Sequence, residues 1–422
     1  MRDLFIEIWE SIRRNKLRTC LTGFAVSWGI FMLIVLLGAG NGIMNTTRDN
    51  MEGISSNVMR VYGNTTSKPY AGYKEGRYIE LTDRDREFTA SPAFADNIDE
   101  VSVLLWKSGF KLTYGKRNLN VTMMGVYPGF ASMNKVDLYA GRFINYNDIK
   151  EQRKVIVITH THAKNFLSGG TDYASLIGKR VKIDNYSYRI IGVRHGEENT
   201  DDTEIYTPYT SLNAIFGGGD EVDQLAFTFH GLNTEEENDE FEARYRAGMN
   251  ARHSVAPDDK SAFWISNSFK QNMQMEKGSN ILRIFIWIVG LLTLVSGIVG
   301  VSNIMLITVK ERTHEFGIRK ALGASPWAVM KLIVAESVTI TAFFGYIGMF
   351  LGMVACEVLD ATLGSSQLEL FGESFQVMTN PTVGLDVAIE ATLVLIITGT
   401  LAGLIPAGKA SKVKPIEALR AG

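Results

Sequence analysis

The hydrophobic positions of this chain are gathered into four long runs, separated by stretches where polar and apolar residues mix. No charged residue stands between Arg18 and Arg48, or between Arg283 and Lys310. Glu336 and Glu357 enclose twenty uncharged residues, and Glu390 and Lys409 enclose eighteen. A helix needs roughly 20 apolar residues to cross a hydrocarbon core about 30 Å thick. A buried helix of a soluble domain is rarely so long and so uniformly apolar. The pattern predicts four transmembrane helices, at about 19–44, 283–309, 332–357 and 387–407.

Between the first and second of these, residues 45–282 read as an α+β domain. NLNVTMMGVY, KVIVITH, KRVKIDNYSYRIIGV and QLAFTFHGL are rich in β-branched and aromatic residues, several with the two-residue alternation of a strand. DLYAGRFINYNDIKEQRK reads as turn and loop, and NTEEENDEFEARYRAGMNARHS as a polar amphipathic helix. DDKSAFWISNSFKQNMQMEKGSNILRIF is expected to continue as helix into the second span. Such a domain can bury its own core.

Charge sets the expected orientation. Residues 1–18, 310–331 and 408–422 together hold 14 basic and six acidic residues, whereas the rest of the chain holds 29 and 39. The short segment 358–386 has no Lys or Arg. Basic residues favour the cytoplasmic side, so both termini and the 310–331 loop are expected there, and the 45–282 domain outside, in a multi-pass protein of the cytoplasmic (inner) membrane. In residues 1–18, Leu4, Phe5, Ile8, Trp9 and Ile12 recur at helical spacing opposite charged positions. That predicts a helix lying along the membrane surface, not a cleaved signal peptide. Cys20 and Cys356 fall near opposite faces of the membrane, so no disulfide between them is expected.

Candidate chemistry is sparse. His160 and His162 could lie side by side on a strand edge as a weak metal pair, but no third ligand stands at useful spacing. Asp201, Asp202 and Glu204 read as a solvated acidic loop. No G-x-S-x-G, H-E-x-x-H or C-x-x-C occurs. GLIPAGKAS (403–411) nearly fits G-x-x-x-x-G-K-[ST], but Ala410 stands where the Mg²⁺-binding hydroxyl belongs. Gly403 ends an apolar run, and Pro406 is expected to terminate the helix. No catalytic residue, metal or nucleic-acid partner is expected, and ATP hydrolysis would fall to a partner.

The densest charge lies in VKERTHEFGIRKALGAS, between the second and third spans. Phe316, Ile318, Ala321 and Leu322 supply an apolar side to a short amphipathic helix that should stop at Gly323, with Pro326 opening the next helix. Fixed between two spans, it reads as a docking element for a cytoplasmic protein. Its named positions are Lys310, Glu311, Arg312, Glu315, Phe316, Gly317, Arg319, Lys320 and Gly323. Glu336 is expected to pair with Lys331 or a lysine of the tail, whose marked positions are Lys409, Lys412, Pro415 and Arg420. Gly348-x-x-x-Gly352 and Gly399-x-x-x-Gly403 allow close helix approach, within one chain or across a dimer. The span centres hold no Asp, Glu, Lys or Arg, which argues against an ion path.

These residues resemble the FtsX/MacB family of ABC-transporter permeases. The likeness rests on NKLRTCLT (15–22), VKERTHEFGIRKALGAS (309–325), Glu336 and IPAGKASKVKPIEALR (405–420). It also rests on LYAGRF (138–143), IGKRVKI (177–183) and YRIIGV (188–193) in the outer domain. The resemblance implies a four-span subunit acting as a dimer, of identical or related chains. It implies a separate ATP-binding subunit, carrying ATP and Mg²⁺, docked on 310–325. MacB carries its ATPase ahead of the first span, whereas here the ATPase is expected on a separate subunit, as in two-component relatives. The resemblance further implies a porter-like part at about 45–110 and 223–275, and a sabre-like part at about 111–222.

The mechanism so implied is mechanotransmission: the partner closes on ATP, the 310–325 helix moves, and the outer domains expel cargo. Export of an antibiotic-like compound, peptide or other periplasmic substrate leads, with a periplasmic adaptor and outer-membrane channel. Release of lipoproteins, as in Lol-type relatives, is the alternative. An FtsX-like regulator of cell-wall hydrolases fits less well, because its outer domain is usually smaller.

Overall fold

The computed structural model describes residues 16–52, 55–196, 203–217, 219–364, 367–370, 373–376, 380–381 and 384–412. The expected surface helix at 1–18 therefore lies almost wholly outside the described residues, as do Asp201, Asp202, Pro415 and Arg420. The chain divides into two compact units, 51–276 and the remainder.

Helix α1 (Lys16–Glu52) comes first. The 51–276 unit then holds β1 (Val58–Gly63), β2 (Leu81–Thr82), α2 (Asp83–Thr89), β3 (Ile98–Tyr114), β4 (Arg117–Val126), β5 (Leu138–Gly141) and β6 (Val155–Thr159). It continues with α3 (His160–Phe166), β7 (Arg180–Ile183), β8 (Tyr186–Arg194), β9 (Glu204–Pro208), β10 (Glu221–Val222) and β11 (Gln224–Phe229). Helix α4 (Glu235–Arg252) and β12 (Phe263–Asn267) complete it. There follow α5 (Ser268–Glu311), α6 (Thr313–Ala321), α7 (Pro326–Leu359), β13 (Gln367–Leu370), β14 (Glu373–Gln376) and α8 (Leu385–Ser411).

A ten-stranded sheet forms the frame of the 51–276 unit, in the order β12-β1-β11-β3-β4-β9-β6-β8-β5, with β7 joining β3 to β8. The path β3-β4-β9-β6-β8-β7 thus returns to β3 and closes a ring of six strands. β4–β9 and β6–β8 run parallel, while the other pairings are antiparallel. β12, β1 and β11 extend as an open wing from the first half of β3. Every residue of β6 (VIVIT) and β11 (QLAFTF) is buried, as strands with neighbours on both sides should be.

Helix α4 starts where its sequence says it must. Thr234 Oγ1 accepts from the Glu237 amide and the Glu237 carboxylate accepts from the Thr234 amide, a reciprocal cap ahead of an acidic first turn. Its inner side, Phe241 and Tyr245, packs against Phe94 and Phe227, and Tyr245 shares a hydrogen bond of 2.8 Å with Thr89.

Several expectations are corrected. Residues 263–267 form strand β12 against β1, and the helix begins only at Ser268. The free edge of β1 offers this segment a ladder of main-chain bonds that outweighs helical continuity. The stretch expected as loop before β6 contains β5, and a short helix, Tyr146–Lys150, capped by Asn145. Glu204 starts strand β9 and does not lie in a loop. His160 and His162 sit in helix α3, not on a strand.

Among the described residues, four helices are long and apolar enough to cross a membrane: Gly23–Thr46, Ser268–Glu311, Pro326–Thr362 and Glu390–Ser411. Pro406 does not end the last of them, because α8 runs on to Ser411. A proline costs the helix one main-chain bond, and here the flanking apolar contacts of Ala402, Ala407 and Ala410 hold the axis through it.

Candidate coupling site

Helix α6 is the short charged element between α5 and α7. One residue, Arg312, separates it from α5. Its own end is sharply made: the Leu322, Gly323 and Ala324 amides close back onto the carbonyls of Ile318, Lys320 and Arg319. Gly323 takes a φ of +97°, a conformation open to glycine at little cost. Ser325 then caps α7 by accepting from the Ala328 amide at 3.2 Å, and Pro326 occupies the first helical position, where a missing N–H costs nothing. The turn between the two helices is thus fixed residue by residue.

The fastening of α6 is both apolar and ionic. Phe316 is 1% exposed, in a cluster with Val309 of α5, Val329 and Ile333 of α7, and Ala407 and Ala410 of α8. Arg312 grips Glu315 with two hydrogen bonds, of 2.8 and 3.0 Å, and reaches Glu336 of α7 at 3.4 Å. Glu315 also accepts from Arg319 at 2.8 Å. Lys320 Nζ donates to the Ser411 carbonyl at the end of α8 at 2.7 Å. Glu336 thus meets Arg312; of the partners expected for it, Lys331 places its ammonium over the Trp327 ring, and the tail beyond Lys412 lies outside the described residues. Sequence spacing alone cannot show that pairing, because α5 and α7 come together only once the turn at Gly323 is made.

The opposite side of this element is open. Leu322 is 84% exposed and Trp327 59%, with Lys310, Glu311 and Gly323 also at the surface. Gly317, by contrast, is buried. Of the tail positions, Lys409 lies in the last turn of α8 and Lys412 follows it.

The glycine pairs both act within the chain. Gly348 lies against the main chain at Ser27 of α1, and a Cβ on Gly352 would stand 2.8 Å from Ile34. A Cβ on Gly399 would approach Thr341 to 3.0 Å, and one on Gly403 would approach Ser337 to 2.9 Å. They bring α1 to α7 and α7 to α8, distances that any side chain would widen. GLIPAGKAS is continuous helix, so its amides are spent on helical bonds and none forms a phosphate cradle.

In the 51–276 unit, His162 Nδ1 lies 2.8 Å from Thr159 Oγ1, and His160 Nδ1 accepts from the Gly196 amide at 3.1 Å. Each ring is thus engaged separately. Among the described residues, no group of three His, Cys, Asp or Glu is placed to hold a metal.

Residues 19–246 match the model of the MacB-like periplasmic core domain, and residues 287–415 that of the FtsX-like permease C-terminal. The macrolide export ATP-binding/permease protein MacB of Chlorobaculum tepidum is 27% identical over 98% of this chain and 61% of its own length. The chain thus spans about three-fifths of the length of that relative. The uncharacterized ABC transporter permease YknZ of Bacillus subtilis is 25% identical over 97% of both chains. Among solved structures, the periplasmic region of MacB from Actinobacillus actinomycetemcomitans covers 54% of this chain and 96% of that one, at 19% identity and a TM-score of 0.43. The extracellular domain of YknZ covers 50% of this chain and all of that one, at 18% identity and a TM-score of 0.40. Two matched models in chain order, together with four membrane-length helices, settle the family: the chain belongs to the MacB/FtsX-like permeases of ABC transporters.

Proposed function

We propose that this chain transmits force: a separate cytoplasmic ATP-binding subunit, carrying ATP and Mg²⁺, docks on residues 310–325 and drives a motion that expels a substrate on the far side of the membrane. In this reading both termini and α6 face the cytoplasm, the 51–276 unit lies outside, and a second copy completes the permease. A periplasmic adaptor and an outer-membrane channel would carry the cargo onward.

The observation that supports this best is the two-sided build of α6. Arg312, Phe316 and Lys320 tie it to α7 and α8, while Leu322 and Trp327 stay exposed beside it. A partner pressing on that open side would displace three helices together. The span centres carry no Asp, Glu, Lys or Arg in the sequence, which suits helices that move and do not conduct. The Chlorobaculum tepidum relative is named for macrolide export, which supports an antibiotic-like compound as substrate here, with a peptide or other periplasmic molecule as the wider class.

The test is depletion of this protein from its host, followed by drug susceptibility and by the lipoprotein content of the two membranes. Sensitivity to a compound with unchanged lipoproteins supports export. Lipoproteins stranded in the inner membrane would replace export with lipoprotein release, and no change in either would sink both.

A further inference from the structure

All four spanning helices line a small cavity of about 10 Å³, walled among others by Val26 of α1, Leu294 and Val301 of α5, Thr341 of α7, and Thr398 and Ala402 of α8. Thr341 is 2% exposed, and its Oγ1 makes no hydrogen bond. Its neighbours behave differently. Thr308, Thr339, Thr398 and Thr400 each donate to the carbonyl four residues back, at 2.8 to 3.1 Å. Ser337, one turn from Thr341, donates to the Gly399 carbonyl at 3.0 Å.

A hydroxyl without a partner inside an apolar bundle carries its full desolvation cost, and buried polar groups of native proteins are almost always satisfied. The cavity is the missing half of the account. Its volume is about that needed to seat one water, roughly 10–15 Å³. Its wall supplies two hydroxyls, Thr341 and Thr398, the second with its proton already given to Val394 and its oxygen able to accept. No ionisable side chain lines it. Two hydroxyls fall far short of the oxygen set that holds a bound cation.

We propose that this junction is a hydration site, holding a single ordered water hydrogen-bonded to Thr341 Oγ1 and reaching Thr398 Oγ1. The water belongs to the packing of the bundle, at a place where all four helices contribute to one wall. Helices that shift there exchange one hydrogen bond of a small mobile molecule for another, without exposing the hydroxyl to lipid.

The experiment is a structure of the full chain in a lipid nanodisc at a resolution that shows ordered solvent, with thermal melting of two variants. The expected result is a solvent peak within hydrogen-bond distance of Thr341 Oγ1, retained in Thr341→Ser. Thr341→Val, of nearly the same size, is expected to melt at the same or a lower temperature, since it removes the anchor of the water. An empty cavity, or a Thr341→Val protein that melts higher, overturns the proposal, because a dry and unsatisfied hydroxyl is relieved by its removal.

Discussion

Arg312 Nη1 lies 3.4 Å from Oε2 of Glu336, across the gap between the start of α6 and the third span. Glu336 is 5% exposed, so its carboxylate has left water for a site where Arg312 is a neighbour. The same guanidinium holds Glu315, which makes Arg312 the point where α6 and α7 are tied. Arg312→Ala is therefore expected to destabilise the full chain by about 2 kcal/mol, the worth of a hydrogen bond to a charged group. Glu336→Gln, which removes the buried charge, should cost less. Equal melting temperatures for Arg312→Ala and the parent would show the contact to be idle.

The stiffness of α6 itself can be tested through Gly317. Proline in a helix interior costs about 3 kcal/mol and removes a main-chain bond. Gly317→Pro should abolish transport, as should reversal of charge at both Arg319 and Lys320, with transport scored per molecule of protein found in the membrane. Normal export by these variants, measured in cells lacking the parent, would refute the force-transmitting role.

Close approach of α1 to α7 rests on Gly348. A methyl group there would run into the Ser27 carbonyl, whereas one at Gly300 would meet only the Ala25 Cβ, at 3.8 Å. Gly348→Ala is expected to lower stability by about 1–3 kcal/mol, the usual cost of overpacking. Gly300→Ala should be close to neutral. Comparison of the two melting curves decides it.

Acid should loosen the 51–276 unit at Asp85. This fully buried carboxylate accepts from the Thr82 amide at 2.9 Å and from Arg252 Nε at 2.7 Å, and lies 3.0 Å from His253 Nε2. Burial would raise its pKa, but His253, the Thr82 amide and Arg252 together outweigh that and hold it below the usual carboxylate range. A depressed carboxylate stabilises the fold above its unfolded pKa, about 3.9, and loses that contribution as pH falls through its lower folded value. Asp85→Asn should cost about 1–3 kcal/mol at neutral pH. The gap to the parent should narrow steadily below about pH 4. A gap independent of pH would mean that shape, not charge, matters at this position.

What could be read from the sequence was set by periodicity and local chemistry. The uncharged runs between Arg18 and Arg48 and between Arg283 and Lys310 fall within α1 and α5, because apolar length is a property of consecutive residues. Gly323 and Pro326 marked the end of α6 and the start of α7 for the same reason. The misreadings arose where contacts over distance, or a signal from an adjoining element, decided the structure. Phe263 to Asn267 pair with a strand some 200 residues earlier in the chain, so nothing local announces them as β12. His160 and His162 follow the buried strand β6 so closely that the strand signal ran on into α3. Pro406 predicts a stop only if the helix stands alone, and α8 does not.

The 17 residues of β3 belong at one end to the open wing and at the other to the closed ring. At about 3.3 Å per residue they form a single rail roughly 55 Å long. Such a rail cannot fold its two halves together like a hinge without breaking rungs on both sides. On the proposed force-transmitting reading, a displacement of the wing would be passed to the ring along this shared strand. The irregularity between Lys107 and Phe110, where Gly109 takes a φ of +89°, is the joint that sets the angle between the two halves.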